Sequence, residues 1–428
     1  QIQERKKNRY LSLWKPLVRK LSKLIIAEME IEGVPCNASA LEEDGHIMEL
    51  MLEEKGKKSI LGNIYVGQVE NIAANIQAAF VMIAPGVRCY LPLSDVKNPV
   101  FSSGRTKNTP LRPGDMLLVQ VSREAMKGKL PAVTTNLNFT GKYLVLTTGE
   151  KKIGFSKKLI QEEKNRLNKW LEEEREISPR EYGIVVRTNA GEASKEEFLT
   201  ELSFLKRLYE KTAVYGRSRT CFSLVYETEP FYMNAVRDIC SKHLDEIVTD
   251  IPEAFTCISA YLKEISPGEE KKVRFYEDKL LPLYKLYRLG VVLEEAQKQK
   301  VWLKSGGFLV IQQTEAFVSI DVNSGKFTGK KKAEETYRKI NLEAAEEIAR
   351  QLRLRNLSGI IVVDFIDMET EEERLRLMSL LERELLKDPV KTVLVDMTRL
   401  GLVEITRKKV KRPLAEQVRA AGYPIKEC

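Results

Sequence analysis

Two short segments, SIDVNSGKF at 319–327 and GIIVVDFIDM at 359–368, most constrain how this chain can fold. In the first, Asp321 and Asn323 follow an apolar run two residues apart, so a strand would carry both on one face. In the second, a β-branched run leads into Asp364, which is typical of a buried strand ending on a carboxylate. Oxygen-bearing side chains at two strand ends predict a site for Mg²⁺, with waters and a phosphate as its other ligands.

Acidic residues also end strands for structural reasons, because they cap the next helix or close an Asx-turn. The surrounding pattern favours the metal site over that alternative. After the turn at Asn323-Ser324-Gly325, apolar residues recur at helical spacing. They are Tyr337, Ile340, Ala344, Ile348 and Leu352. A second amphipathic helix then leads to the apolar strand KTVLVDM, and this alternation predicts an α/β sheet with its ligands at the strands' carboxyl ends.

Long phrases between about 306 and 412, including TEAFVSIDVNSGKF, NLEAAEEIARQLRLRNLSGIIVVDFIDM and GLVEITRKK, resemble the catalytic core of the RNase E/G family of endoribonucleases. The resemblance implies that Asp321 and Asp364 bind Mg²⁺ and that Asn323 orients one of them or the attacking water. It implies cleavage of single-stranded RNA to 5′-phosphate and 3′-hydroxyl ends, in rRNA and mRNA processing and decay. It places a DNase-I-like α/β catalytic subdomain at 298–412 and a link segment at 413–428.

Residues 59–140 show short alternating strands that place Tyr65, Phe80 and Tyr90 one per strand, which predicts a small barrel. Such rings either stack unpaired bases, as on an OB-fold, or belong to the core. The segment resembles the OB-type RNA-binding domain of the same family. That resemblance implies RNA contacts by Phe80, Tyr90 and Lys127, with Tyr90 at a position where Phe is more usual.

Residues 141–232 contain VVRTNAGEAS, a strand followed by a glycine turn and a helix start. Ser194 and Glu197 fit a capping box, which explains that helix start without any ligand. VRTNAG also resembles the family's VRTAG motif, which recognises a 5′-monophosphate, although Asn189 is an insertion in it. By this resemblance Arg187 and Thr188 bind the phosphate. The other implied positions are Gly141 and Val145 under the terminal base, and Lys391, where the family often has Arg.

The remaining segments complete a multidomain chain of α/β and all-β parts. Residues 27–58 together with 233–297 have family counterparts that form an RNase H-like structural subdomain, into which the barrel and the 5′-sensor are inserted. Residues 1–26 form a basic extension. Of the formal net charge of +9, residues 1–23 supply +7, because eight Lys and Arg face Glu4 alone, so the other 405 residues carry about +2. A solvated extension is favoured over contact with a membrane surface. Two local clusters, TRKKVKR at 406–412 and GKKK at 329–332, are where Lys and Arg could meet phosphates.

Cysteine and histidine usage bounds the chemistry. The six cysteines lack paired spacing, which favours free thiols in a reducing cytoplasm over disulfides. His46 and His243 are isolated, so cleavage by a histidine pair is disfavoured. Relatives usually share a Zn²⁺ between two chains through a CPxCxG motif, whereas this chain ends GYPIKEC with Cys428 alone. One thiolate per chain does not complete a tetrahedral site, so zinc is not favoured, and a homodimer or homotetramer is implied by the resemblance alone.

Two other classes of function compete with a nuclease. A non-catalytic RNA-binding protein of the same architecture would be expected to lose Asp321 or Asp364 first, and both are present. A metal-dependent deoxyribonuclease or phosphatase is disfavoured by the RNA-type barrel. The sequence therefore favours a Mg²⁺-dependent endoribonuclease.

Overall fold

A computed structural model describes residues 21–56, 59–102, 110–125, 129–175, 182–239, 244–325 and 333–420. The chain divides into two compact units. The first comprises residues 1–56, 243–256 and 272–428, and the second comprises residues 57–242 and 257–271. No helix in the described ranges is both long and apolar enough to span a bilayer.

The strands of the described residues are numbered here in chain order. They are β1 (Ser22–Ile31), β2 (Val34–Glu43), β3 (His46–Glu54), β4 (Ile64–Ala73), β5 (Ala78–Ala84), β6 (Val87–Pro92), β7 (Met116–Arg123), β8 (Ala132–Thr134), β9 (Asn138–Thr140), β10 (Leu144–Thr147), β11 (Ile153–Phe155), β12 (Gly183–Val186), β13 (Leu224–Tyr226), β14 (Glu246–Thr249), β15 (Val273–Phe275), β16 (Lys300–Trp302), β17 (Phe308–Gln313), β18 (Phe317–Asn323), β19 (Gly359–Asp364), β20 (Thr392–Met397) and β21 (Leu402–Arg407).

The helices are numbered in the same way. They are α1 (Gln161–Arg175), α2 (Lys195–Arg217), α3 (Phe231–Ile239), α4 (Pro252–Ile265), α5 (Leu283–Leu286), α6 (Leu289–Gln297), α7 (Ala333–Leu354), α8 (Glu371–Leu385) and α9 (Leu414–Ala420).

The first unit contains a five-stranded sheet in the order β15-β14-β1-β2-β3. Strands β1, β2 and β3 form an antiparallel meander, whereas β14 and β15 continue parallel to β1. Four consecutive residues are buried in each of β1 and β2, at 24–27 and 38–41, and one face of these strands packs on an apolar core with α6 and α9. Because successive side chains point to opposite faces of a strand, this consecutive burial means that both faces are covered at these positions.

The first unit also contains a six-stranded sheet in the order β16-β17-β18-β19-β21-β20. Strands β18 and β19 are parallel, and the other neighbours are antiparallel. The predicted order of strand, helix, strand, helix and strand is confirmed as β18, α7, β19, α8 and β20. The predicted stripe of α7 is buried at Ile340, Ala344, Ile348 and Leu352, where it packs with the sheet and α8.

The second unit contains a small closed barrel, which confirms the barrel predicted from the alternating pattern. Strand β4 pairs with both β5 and β7, and the circuit β4-β5-β6-β8-β7 closes on itself. The barrel interior is filled by apolar side chains such as Val69, Val81, Leu91 and Val119. Strand β13 extends the sheet beyond β4.

A four-stranded sheet in the second unit has the order β11-β12-β10-β9. Helix α2 packs on β10 and β9. The predicted capping box at its start is confirmed, because the Ser194 hydroxyl accepts from the Glu197 N–H while the Glu197 carboxylate accepts from the Ser194 N–H. This cap fixes the point at which the chain leaves the loop after β12 and enters the helix.

Candidate active site

The carboxylates of Asp321 and Asp364 lie on one face of the six-stranded sheet. Asp321 is the register partner of Asp364 across the parallel pair β18 and β19, so their backbones stand one strand spacing, about 4.8 Å, apart. Asn323 lies two residues beyond Asp321 on the same face, and its Nδ2 donates to Asp321 Oδ2 at 2.6 Å. Both aspartates are exposed and Asn323 is half-buried. The three predicted site residues therefore lie together on an accessible surface.

The electrostatics of this cluster reflect an excess of negative charge. Partial burial raises the pKa of Asp364 above its ordinary value, and the negative charges of Asp321 and Asp367 raise it further. A divalent cation would relieve this repulsion, and two carboxylates are the hard oxygen donors that Mg²⁺ takes from a protein. Across the described ranges, no three acidic, histidine or cysteine side chains group closely enough to hold a metal ion. An ion bound here would therefore complete its shell with waters and substrate phosphate oxygens.

In the barrel, Phe80 of β5 and Tyr90 of β6 are register partners. Their ring centroids lie 6.5 Å apart in an edge-to-face arrangement, and both side chains are half-buried. The Arg88 guanidinium lies 5.2 Å from the Phe80 ring centroid, and its Nε donates to Glu70 Oε2 at 2.5 Å, so an ion pair accompanies the two rings. Lys127, the third residue predicted for RNA contact, lies outside the described residues. Tyr65, by contrast, packs against the barrel core and belongs to the alternative of core aromatics.

The residues predicted for 5′-phosphate sensing are divided between the two units. In the second unit, Arg187 Nη1 donates to the Gly141 carbonyl at 2.6 Å, and Arg187 Nη2 donates to Asp238 Oδ1 at 2.5 Å. Thr188 is exposed and begins a short 3₁₀ helix, Thr188–Glu192. Val145 lies half-buried on β10, where it is the register partner of Thr140, the residue before Gly141. Lys391 belongs to the first unit, where its exposed side chain precedes β20.

The inserted Asn189 has a structural contact of its own. Its Nδ2 donates to the Arg237 carbonyl at 3.3 Å, next to the residue that pairs with Arg187. The insertion thus links the loop after β12 to the end of α3. Asp238 occupies one edge of the Arg187 guanidinium, which still carries further N–H donors.

Glu201 is the residue of this region that the sequence reasoning missed. It is only 1% exposed, and its carboxylate accepts from the backbone N–H groups of Lys142, Tyr143 and Leu144 at 2.5, 2.7 and 2.9 Å. Burial raises the pKa of Glu201, while these three N–H groups and the charge of Arg187 act in the opposite direction. A signal was present in the sequence, because Glu201 interrupts the apolar stripe of α2 between Phe198 and Leu205.

Comparisons with known proteins identify the family of this chain. The ribonuclease E/G family model matches residues 138–410, which is more than half of the chain. The chain belongs to the ribonuclease E/G family. Membership of this family makes the protein an enzyme that hydrolyses RNA.

Individual relatives of this family member cover most of its length. It is 33% identical over 397 residues to Ribonuclease G of Salmonella typhimurium, a match that covers 90% of this chain and 80% of the relative. It is 32% identical over 399 residues to Ribonuclease G of Escherichia coli strain K12, covering 91% and 81%. It is 35% identical over 360 residues to a Nostoc Ribonuclease E, covering 82% of this chain and 51% of that longer protein.

The basic clusters noted in the sequence of this ribonuclease differ in their availability. In TRKKVKR at 406–412, Arg407 is 5% exposed and its Nε donates to Asp388 Oδ2 at 2.7 Å, so the prediction that it meets phosphate is wrong. Its neighbours Lys408 and Lys409 are exposed. The second cluster, GKKK at 329–332, lies outside the described residues, as does Cys428.

Proposed function

We propose that the protein is a Mg²⁺-dependent endoribonuclease that cleaves single-stranded RNA internally to 5′-phosphate and 3′-hydroxyl ends. The observation that carries this proposal is the register pairing of Asp321 with Asp364 on an exposed sheet face. Its natural role would be the processing and decay of ribosomal and messenger RNA, since the relatives are ribonucleases G and E.

Asp321 and Asp364 would hold the ion, and the amide of Asn323 would fix the orientation of the Asp321 carboxylate through its 2.6 Å hydrogen bond. When bound, Mg²⁺ supplies Lewis-acid chemistry, which polarises a phosphate and lowers the pKa of water. Hydrolysis adds water across the P–O3′ bond, so the phosphate stays on the 5′ end of the downstream product. No 2′-hydroxyl attack is needed, and the residues of the chain serve to bind and orient.

The half-buried pair Phe80 and Tyr90 supports recognition of unpaired bases, because partly accessible aromatic rings can stack bases. Arg187 supports sensing of a 5′-monophosphate, since the guanidinium N–H donors that are not given to Gly141 and Asp238 could meet phosphate oxygens. Thr188 would add a hydroxyl, and Gly141 and Val145 would lie under the terminal base. The role of Lys391, which lies in the first unit, stays a prediction from the family resemblance.

The finer architecture is part of the same proposal. The order of the five-stranded sheet, three antiparallel strands and then two parallel ones, supports an RNase H-like subdomain. The six-stranded sheet that carries the aspartates would be the DNase-I-like catalytic subdomain. A homodimer or homotetramer is proposed from the family resemblance. The free thiols of the four described cysteines support a reducing, cytoplasmic compartment.

Cleavage of a 5′-monophosphorylated single-stranded RNA with Mg²⁺ or with EDTA tests the catalytic assignment. Asp321→Asn and Asp364→Asn should each lower kcat by at least about a hundredfold, since each removes one of only two protein ligands. Asp396→Asn, an exposed aspartate on the edge strand β20 of the same sheet, is the matched control and should cleave normally. Cleavage in EDTA, or undiminished cleavage by Asp321→Asn, would show that this site is not the catalytic one.

The 5′-sensor needs a separate substrate series. Wild type should cleave 5′-monophosphorylated RNA faster than the same RNA with a 5′-triphosphate, and Arg187→Ala should remove that difference while leaving cleavage of the triphosphate form unchanged. If the wild type cleaved the monophosphorylated and triphosphorylated RNAs at the same rate, the sensor would be contradicted, and the assignment of the metal site would be unaffected. RNA binding without cleavage by the wild type would favour a non-catalytic RNA-binding protein.

A further inference from the structure

The acidic face of the six-stranded sheet continues into an aromatic surface at the sheet edge. Trp302 of β16 is the register partner of Phe308 of β17, and Phe308 is the register partner of Asn323 of β18. One row further along, Lys300 faces Val310, which faces Asp321. Because side chains at i and i+2 share one face of a strand, these residues lie on the same face as the two aspartates.

Trp302, Phe308 and Lys300 form a compact group, here called the edge platform. The two ring centroids lie 5.2 Å apart with a 59° tilt. Lys300 Nζ lies 4.1 Å from the Trp302 centroid and 3.6 Å from the Phe308 centroid. Trp302 remains 64% exposed, which is unusual for so large an apolar side chain. The opposite face of these strands packs on the core, where Leu309 and Val322 are buried.

We propose that the edge platform stacks an unpaired base of the RNA substrate beside the scissile phosphate, with Lys300 contacting an adjacent phosphate. This rests on the proposed function, because it takes the aspartate pair to be the cleavage site. Trp302 and Asn323 are two strand spacings, about 10 Å, apart, so an extended strand of RNA crossing the face passes from one to the other within a few nucleotides. Indole is the largest stacking surface among the side chains, and the cation over it is complementary to the RNA backbone.

A purely structural role of the edge platform explains Lys300 but not the two aromatic rings. A lysine on a short edge strand blunts edge-to-edge pairing, and Lys300 serves that purpose by itself. Protection of the sheet edge does not explain why the rings of Trp302 and Phe308 lie on the same exposed face as the aspartates, where they contribute little to the core. A second copy of this chain is the other possible occupant of an apolar patch, and the test below separates it from RNA.

The test measures binding of a short fluorescent single-stranded RNA to the full chain in the Asp321→Asn background, where the RNA stays intact. Trp302→Ala should weaken binding about tenfold, the loss typical of one stacked base. Trp302→Phe should restore most of the affinity, because it retains a stacking ring. Leu375→Ala, which truncates an exposed apolar residue of α8, is the control and should bind as the parent does. Thermal melting and light scattering of each variant report folding and oligomeric state.

A series of RNAs with one abasic nucleotide at successive positions then locates the contact. At one position near the cleavage point, removing the base should weaken binding by the parent about tenfold and by Trp302→Ala hardly at all. Unchanged affinity of a folded Trp302→Ala protein would overturn the platform, as would a change of oligomeric state with unchanged RNA affinity. Neither result affects cleavage by the wild type, so the platform and the metal site fail separately.

Discussion

Asp321 and Asp364 are direct register partners on adjacent parallel strands, which fixes two like charges one strand spacing apart on an exposed face. Such a pair is unfavourable without a cation, and the raised pKa of Asp364, from partial burial and then from the charges of Asp321 and Asp367, reflects that. The same sheet carries a core of buried apolar residues on its other face. The packed sheet therefore keeps the two carboxylates close together, which is what the proposed cation site would need.

Asn323 should matter for the rate of cleavage more than for substrate binding. Asn323→Ala removes the hydrogen bond that orients Asp321 Oδ2, and the loss of such a supporting partner typically lowers activity by roughly 10–100-fold. We expect kcat to fall by this amount with KM within about twofold, measured by steady-state cleavage in Mg²⁺. A rise in KM at constant kcat would assign Asn323 to substrate binding instead.

Gly141 should not tolerate a methyl group. A Cβ there would lie 2.6 Å from Glu201 Oε1 and displace the carboxylate that holds the N–H groups of residues 142–144. Gly141→Ala should lower the free energy of unfolding by about 2–3 kcal/mol, because buried hydrogen bonds to a charge are lost. Gly154→Ala is the control, since its Cβ would meet only Val185 at 3.9 Å. Equal free energies of unfolding for the two variants in a urea titration would count against the role of Glu201.

Arg407 should be a stability residue and not an RNA-binding one. The side chains of Arg407 and Asp388 are each 3% exposed, so Arg407→Ala removes the cationic partner of a buried carboxylate and should lower the free energy of unfolding by about 3–5 kcal/mol. The Asp388 carboxylate would keep its hydrogen bonds from the Val390 N–H and the Thr392 hydroxyl. Lys55→Ala breaks the exposed pair with Glu28 in the same unit and should change stability little. Urea unfolding of the two variants checks the contrast. A folded, stable Arg407→Ala protein with weakened RNA binding would reverse the assignment.

Glu246 should make the stability of the first unit depend on pH. Burial by itself would raise its pKa, but hydrogen bonds from Arg274 at 2.5 Å and the contact with Lys23 at 3.2 Å outweigh it, so the pKa of Glu246 is lowered from 4.5. A lowered pKa means stability that is present above the unfolded value and is lost as pH falls through the folded one.

Glu246→Gln should therefore lower the melting temperature at neutral pH, by the equivalent of roughly 1 kcal/mol or less for a partly exposed pair. The difference should vanish below the folded pKa, where the wild-type carboxyl is also neutral. Glu30→Gln, an exposed glutamate on β1, serves as the comparison across the same pH series. A wild-type and Glu246→Gln difference that grows in acid would contradict this sign.

The local patterns of the sequence determined the elements around the aspartates. Apolar residues at helical spacing gave α7 its buried stripe, and β-branched runs gave β18 and β19, because these periodicities follow from backbone geometry alone. The capping box at Ser194 and the barrel were predictable for the same reason. The prediction that the basic run at 406–412 meets phosphate fails for Arg407. Only its burial beside Asp388 distinguishes it from the exposed lysines that follow it, and the sequence pattern does not show that burial.

By itself, then, the sequence determined which residues end the strands and carry oxygen ligands, and which phrases it shares with a family of ribonucleases. Only the tertiary structure decided that Asp321 pairs with Asp364, that Glu201 holds the loop at Gly141, and that Trp302 and Phe308 continue the acidic face. The physical reason is strand register and helix docking. Both are set by contacts between residues far apart in the chain, and local sequence propensity does not predict those contacts.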